Sequence, residues 1–194
     1  MLIVGVDEAG RGPLAGPVVA AAVIFKPNDI PLGLNDSKKL SEKKREVLYD
    51  EIISRAAYFS ITEISSVEID RINILQASLL AMKKSVLSIY KKTPIDMILI
   101  DGNQTLGKDL VLSQKAIIKG DTLIKEIMAA SILAKVHRDR LMKKFEDEYP
   151  GYGFVKHKGY GTKLHLEALK RLGPCAIHRL TFRGVVQSEQ SARQ

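Results

Sequence analysis

The sequence has few of the features that mark secreted, membrane-spanning or fibrous proteins. It contains a single cysteine, Cys175, among 194 residues, so no internal disulfide can form and stability must come from packing, as in a reducing compartment. No run approaches the roughly 20 apolar residues of a membrane span, and the first residues have no basic flank. A composition of 45% hydrophobic and 27% charged residues is ordinary for a globular protein. We therefore expect one cytoplasmic domain over residues 1–186, without membrane contact, followed by a disordered tail over 187–194.

The sequence contains more basic than acidic residues. Thirty Lys and Arg against 22 Asp and Glu give a formal net charge of +8, which attracts polyanions and raises their rate of encounter. Most of the surplus lies between residues 134 and 183, where twelve Lys or Arg accompany five Asp or Glu. The charge favours nucleic acid as the partner, although many basic proteins bind none.

The order of apolar segments predicts an α/β domain with a mixed sheet. Strands are predicted over five segments, at 2–6, 17–25, 57–64, 97–100 and 116–118. Helices are predicted at four places, after Ser41, along an apolar stripe from Ile69 to Val86, from an N-cap at Asp121, and over 163–172.

Acidic residues follow three of the predicted strands. Asp7 and Glu8 follow the first strand, Asp101 follows the fourth and Asp121 the fifth. Functional side chains gather beyond strand ends in α/β sheets, so four carboxylates face one small volume if these ends are neighbours. Such a cluster is unfavourable without cations, and all-oxygen ligands suit Mg²⁺ or Mn²⁺. Two ions about 4 Å apart can activate a water and stabilise the leaving oxygen in phosphodiester cleavage.

Each acid also has a structural interpretation. Asp101 stands before a glycine, where aspartate is a common turn residue, Asp121 is a natural N-cap, and Glu8 can simply face solvent. Taken one at a time, these positions favour structure over chemistry, and only their joint placement at strand ends favours a metal site.

Other chemistries find less support. Asp139 is left out of the cluster because Lys135 and Lys143, four residues to either side, are typical of a salt-bridged helix surface. The four histidines lack the paired spacing of a zinc site, and the single cysteine provides no CxxC motif. The sequence also contains no nucleophile elbow, P-loop or GxGxxG motif.

A series of ordered motifs resembles the ribonuclease HII family, the type 2 ribonucleases H. In chain order the motifs are DEAGRGP at 7–13, DSKKL at 36–40, DG at 101–102, KGD at 119–121, AASILAKVHRDR at 129–140 and YPGYGFVKHKGYGT at 149–162. The resemblance covers roughly residues 1–185. It implies a ribonuclease H-like fold, with a mixed central sheet flanked by helices and a helical C-terminal region.

The resemblance also implies an activity and a catalytic set. Enzymes of this family hydrolyse the RNA strand of RNA/DNA hybrids and cut 5′ to single ribonucleotides embedded in duplex DNA, leaving 5′-phosphate and 3′-hydroxyl ends. This implies a role in ribonucleotide removal and primer processing. The four metal-binding carboxylates of the family fall on Asp7, Glu8, Asp101 and Asp121, which would bind Mg²⁺ or Mn²⁺ and position the attacking water.

Substrate contacts are implied in the same way. Gly10, Arg11 and Gly12 form the GRG turn that detects the ribose 2′-hydroxyl, the only group that separates RNA from DNA at one nucleotide. Tyr160 falls on the tyrosine that covers the deoxyribose after the ribonucleotide. The candidate phosphate contacts are Lys38, Lys39, Lys156, Lys158, Arg179 and Arg183.

Two other functions stay open on the sequence alone. A non-catalytic basic nucleic-acid binder would explain the charge but not the acids at three strand ends. A junction resolvase or integrase core would share the carboxylates but not the GRG turn together with Tyr160. We expect a monomer, and no clamp binding, because the tail shows no docking peptide for a replication clamp.

Overall fold

The computed structural model describes residues 1–185, whose centre is a five-stranded sheet in the order β3-β2-β1-β4-β5. The strands are β1 (Ile3–Ala9), β2 (Val18–Phe25), β3 (Ala56–Ile64), β4 (Met97–Asp101) and β5 (Gln114–Ile117). β2 runs antiparallel to β1 and β3, whereas β4 runs parallel to β1 and β5. The predicted mixed sheet is confirmed.

Helices cover both faces of the sheet and form the C-terminal region. They are α1 (Glu42–Arg55), α2 (Ser66–Ile72), α3 (Ile74–Tyr90), α4 (Lys125–Glu148), α5 (Phe154–His157) and α6 (Lys163–Leu172). The helix predicted over 163–172 has these bounds, with the Thr162 side chain as its N-cap. In residues 1–185 no helix is both long and apolar enough to cross a membrane.

Strand β2 explains why the sheet has two apolar faces. All eight of its residues are buried, and alternate side chains of a strand point to opposite faces. Val18, Ala20 and Ala22 therefore join the core under α3, while Val19 and Ala21 join the core under α1 and α4. A strand covered on both sides is a continuous apolar run in the sequence.

The apolar stripe predicted as one helix from Ile69 to Val86 is two helices. Asn73 adopts a left-handed backbone with φ of 67°, and its side chain caps α3 by accepting from the amide of Gln76. The buried face of α3 also differs from the predicted stripe. Leu75 is exposed, while the small residues Ala77 and Ala81 face the sheet. The small side chains let α3 lie close to the strands, which a count of large apolar residues does not predict.

The N-cap predicted at Asp121 is wrong. Asp121 lies in a single 3₁₀ turn over Gly120–Thr122, and α4 begins at Lys125 without a side-chain cap on its first turn. The Asp121 carboxylate is instead engaged by the Lys38 ammonium, and its backbone N–H donates to Asp101.

The C-terminal region packs onto the rest of the fold through a third apolar cluster. This cluster joins Ala15, Met142 from α4, Phe154 from α5, Leu169 from α6 and Val185. The last described residue is thus part of the core, and the tail predicted over 187–194 lies outside the described residues.

Candidate active site

A cavity of about 290 Å³ opens where the parallel pairing of β1 with β4 ends, at Val6 and Ile100. The prediction that Asp7 and Glu8 follow the first strand is wrong, because β1 continues to Ala9 through its pairing with β2. All four predicted carboxylates line this cavity, which is called the acidic pocket below: Asp7, Glu8, Asp101 and Asp121. Because β1, β4 and β5 run parallel, their carboxyl ends lie at the same sheet edge. The structure therefore brings together the acids that the strand-end argument selects.

Three of these acids have pKa values above their ordinary range. Burial raises the pKa of Asp7 well above its usual 3.8, and the charges of Glu8 and Asp101 add to the effect. Burial also raises the pKa of Glu8, against the opposing charge of Arg11, and that of Asp101, against the N–H donated by Asp121. Crowded, poorly hydrated carboxylates of this kind gain most from a nearby cation.

Protein cations contact two of the acids directly. The Lys38 ammonium is 3.1 Å from Asp121 Oδ2, and the Arg11 guanidinium is 3.4 Å from Glu8 Oε1. Within residues 1–185, no three Asp, Glu, His or Cys side chains are already arranged to hold an ion. The Lys38 and Arg11 side chains are 80% and 50% exposed, so both can move aside. The donor set itself, four carboxylates and no softer ligand, fits Mg²⁺ or Mn²⁺.

The GRG turn and Tyr160 lie next to each other on the wall of the acidic pocket. Gly10, Arg11, Gly12 and Tyr160 all line it. A methyl group on Gly12 would lie 3.5 Å from the Tyr160 ring, and the Tyr160 side chain is exposed. The two predicted sugar-contacting elements, distant in sequence, thus form one continuous surface beside the carboxylates.

The predicted phosphate contacts divide into three groups. Lys38 lines the acidic pocket. Lys39, Lys156 and Arg183 are exposed outside the pocket lining, and the Lys158 ammonium donates to the carbonyl of Val155 at 2.6 Å.

The structure corrects the role predicted for Arg179. It is fully buried, and its guanidinium donates only to backbone carbonyls within residues 1–185. The prediction that it contacts phosphate is therefore wrong, because no face of the guanidinium reaches solvent.

Helix α4 contributes polar residues that the sequence argument did not select. The Ser131 hydroxyl lies 3.1 Å from the Ser37 hydroxyl. Its presence near Asp7 lowers the pKa of that carboxyl and partly offsets the effect of burial. Ser131, Lys135 and Arg138 all line the acidic pocket. Their spacing of four and three residues places them on one helix face, so the periodicity within the 129–140 motif could have indicated them.

The interpretation of Asp139 as a surface residue is wrong. Asp139 is 5% exposed, and Lys135 donates to it at 2.6 Å. Lys143 does not complete the expected pattern, since it pairs with Glu42 on α1. Asp139 is therefore buried although the charge pattern predicts that it faces solvent.

The raised pKa values predict a pH-dependent response to divalent cations. An acid whose pKa is higher in the folded than in the unfolded state destabilises the fold as pH rises from its ordinary value, 3.8 for Asp7, through the raised value. We expect Mg²⁺ or Mn²⁺ at 100 times the dissociation constant to raise the free energy of unfolding by about 2.7 kcal/mol. At pH 8 this corresponds to about 5–10 °C in Tm. The same cation concentration should raise Tm less at pH 5, because the raised pKa values leave more of the carboxylates protonated and weaken binding.

Differential scanning fluorimetry with NaCl at matched ionic strength measures this response. Asp101→Asn should reduce the rise. An equal rise at both pH values, in wild type and variant alike, would contradict a cation site built on these carboxylates.

Comparison with known proteins places the chain among type 2 ribonucleases H. A family model described as ribonuclease HII matches residues 4–185. The ribonuclease HII of Delftia acidovorans is 55% identical over 192 residues, covering 99% of this chain and 80% of the relative. The crystal structure of ribonuclease H2 from Pyrococcus horikoshii OT3 matches with a TM-score of 0.78 at 28% identity, covering 95% of both chains. The structure of Bst-RNase HIII in complex with Mn²⁺ shares the fold, with a TM-score of 0.73 at 18% identity over 95% of this chain and 68% of that one.

Proposed function

Since this chain belongs to the ribonuclease HII family and is an endoribonuclease of RNA/DNA hybrids, we propose that it also cuts 5′ to single ribonucleotides embedded in duplex DNA. The products would carry 5′-phosphate and 3′-hydroxyl ends. The ribonuclease H-like fold is confirmed by the P. horikoshii structure. Membership of the family removes the two alternatives, a non-catalytic binder and a junction resolvase or integrase core.

The observation that carries the proposal is that the GRG turn and Tyr160 lie next to each other on the wall of the acidic pocket. A single embedded ribonucleotide presents one 2′-hydroxyl, followed by a deoxyribose. The close approach of Gly12 to the Tyr160 ring provides adjacent surfaces for these two sugars. Glycine at position 12 keeps the surface beside Tyr160 open to a sugar, because no Cβ projects there.

Recognition and chemistry then occur within one cavity. Asp7, Glu8, Asp101 and Asp121 would hold Mg²⁺ or Mn²⁺, and such ions, when bound, activate a water and stabilise the leaving oxygen of a phosphodiester. The fold relative in complex with Mn²⁺ is in keeping with this assignment. The Glu8 amide, which donates to Asp7 Oδ1 at 2.7 Å, holds the Asp7 carboxylate in place.

Cationic side chains around the pocket suit the phosphates of a duplex. Lys38 is the leading phosphate contact, because its exposed ammonium sits over the acidic pocket. Lys39 and Lys158 are proposed as contacts further along the duplex, and Lys158 must first release the Val155 carbonyl.

The wider assignments follow from the same activity. We propose that the protein works as a monomer in the cytoplasm on RNA/DNA hybrids and ribonucleotide-containing DNA, in ribonucleotide removal during DNA replication. The prediction that it does not bind a replication clamp rests on the tail after residue 185, which lies outside the described residues.

The test uses an end-labelled DNA duplex with one ribonucleotide, an all-DNA duplex and an RNA/DNA hybrid. We expect cutting 5′ to the ribonucleotide in Mg²⁺ or Mn²⁺, no cutting in EDTA, and an intact all-DNA duplex. Ligation of the products and phosphatase treatment identify the ends. Cutting of the hybrid with no cutting at the single ribonucleotide would contradict the proposal and leave the hybrid activity intact.

A further inference from the structure

Two arginines are buried side by side beneath the acidic pocket, and among residues 1–185 neither pairs with a carboxylate. Arg138 on α4 is 1% exposed and Arg179 is 0% exposed. Within the described part of the chain, every hydrogen bond from these two guanidinium groups goes to a backbone carbonyl. Burial is the main reason that their pKa values fall, to about 10 for Arg138 and about 9 for Arg179.

Arg179 binds the GRG turn from below. Its Nη2 donates to the carbonyl of Gly10 at 2.6 Å, and its Nη1 donates to the carbonyl of Arg11 at 2.9 Å. Its Nε donates to the carbonyl of Gly16 at 3.0 Å. Two successive carbonyls of the turn are therefore held toward the interior by a planar group with fixed donor directions.

Arg138 binds the loop segment just before Tyr160. Its Nη1 donates to the carbonyl of Lys158 at 3.0 Å, two residues before Tyr160. Its Nε and Nη2 donate to the carbonyls of Pro17 and Ala15, each at 3.0 Å.

Both arginines share the segment 15–17, which is called the ledge below. Arg138 binds its first and last carbonyls and Arg179 binds the middle one. Backbone hydrogen bonds tie the same region together, since Leu14 donates to Gly159 at 2.8 Å. The GRG turn and the Tyr160 loop are thus attached to one ledge, each by its own guanidinium.

Stability alone does not account for this arrangement. Two like charges without a carboxylate are costly to bury, and apolar side chains of similar volume commonly give equal or greater stability. A rigid fork of donors does what an apolar side chain cannot, because it fixes the directions of particular carbonyls. Small displacements of substrate-positioning groups reduce rates strongly.

We propose that Arg179 and Arg138 are positioning residues with separate effects on specificity. Arg179 fixes the GRG turn and thereby the requirement for a 2′-hydroxyl. Arg138 fixes the Tyr160 loop and thereby the preference for a deoxyribose after the ribonucleotide. The inference rests on the proposed cleavage at single ribonucleotides.

The test compares Arg179→Lys, Arg138→Lys and the matched control Arg140→Lys. Arg140 lies on the same helix but stacks on Tyr49, with its guanidinium 4.2 Å from the ring centroid and outside the acidic pocket. Lysine keeps the charge and loses the fork. Binding to a duplex with one ribonucleotide and to its all-DNA counterpart is measured in Ca²⁺, and cleavage is measured on the single-ribonucleotide duplex and on a long RNA/DNA hybrid.

Arg179→Lys should bring the ratio of the two binding affinities toward one and lower kcat/KM on both cleaved substrates, by up to about 10²-fold. Arg138→Lys should lower kcat/KM on the single-ribonucleotide duplex much more than on the hybrid, where the following sugar is a ribose. Arg140→Lys should change neither ratio. Amide hydrogen exchange should speed up at 10–12 in the first variant and at 158–161 in the second.

Two outcomes would overturn the inference. The first is that both specificity ratios stay unchanged in Arg179→Lys and in Arg138→Lys. The second is that both of these variants unfold globally, with loss of slow exchange in β1 and β2. Failure of the proposed function is a different result, because wild-type protein itself would then show no preference for the ribonucleotide-containing duplex.

Discussion

Replacing Asp101 with asparagine is expected to lower the rate of hybrid cleavage by about 10³-fold, since the stabilisation supplied by a divalent cation is worth several kcal/mol. Asparagine keeps the oxygen that accepts the Asp121 N–H at 3.1 Å, so the backbone between β5 and α4 should not move. It removes the charge that contributes to the raised pKa values of Asp7 and Glu8. In the absence of divalent cations the variant should therefore be at least as stable as wild type.

Asp29→Asn is the matched control for this substitution. Asp29 is a half-exposed aspartate whose carboxylate pairs with Arg55 at 3.9 Å, and it does not line the acidic pocket. Single-turnover rates and thermal unfolding are measured on both variants. If Asp101→Asn kept more than a tenth of the wild-type rate, the role assigned to the carboxylate cluster would be wrong.

Gly10→Ala is expected to lower the free energy of unfolding by about 3 kcal/mol and Tm by about 6–12 °C, with loss of cleavage. Gly10 has φ of 94°, a backbone conformation that residues with a Cβ rarely adopt. An added Cβ would also overlap the Nε and Cδ atoms of Arg138. Arg138 cannot swing away without giving up its three bonds to backbone carbonyls.

Gly173→Ala separates backbone strain from the overlap. Gly173 also has a positive φ, 71°, but no atom of residues 1–185 lies within 4 Å of an added Cβ. Its replacement should cost only about 1 kcal/mol and leave cleavage unchanged. Equal losses of stability in the two alanine variants would show that Arg138 does not constrain the turn.

The sequence predicts which acids form the site better than it predicts how the rest of the chain packs around them. Asp7, Asp101 and Asp121 share a local pattern, in which an acid follows a short apolar run. The carboxyl ends of neighbouring parallel strands lie at the same sheet edge, so such acids come together in many α/β folds. The sheet and α6 are predictable for a similar reason, because alternation, capping residues and glycines are local signals.

Burial of charged residues could not be predicted in this way. A count of Lys and Arg treats Arg179 and Lys38 alike, yet one is enclosed by backbone carbonyls and the other is exposed over the acidic pocket. Whether Asp139 faces solvent depends on what packs against that face of α4, and in the structure it is 5% exposed. Such contacts join residues far apart in the chain, so no local pattern records them.

The most direct test of the central claim, that the GRG turn recognises a hydroxyl beside the four carboxylates, is a single-turnover cleavage measurement on three duplexes. They differ only at one sugar, which carries a 2′-hydroxyl, a 2′-fluorine or a 2′-hydrogen. A fluorine keeps a ribose-like sugar shape but cannot donate a hydrogen bond. We expect cutting of the hydroxyl duplex alone. Cutting of the fluorine duplex at the same rate would show that the protein recognises sugar shape and would contradict the claim.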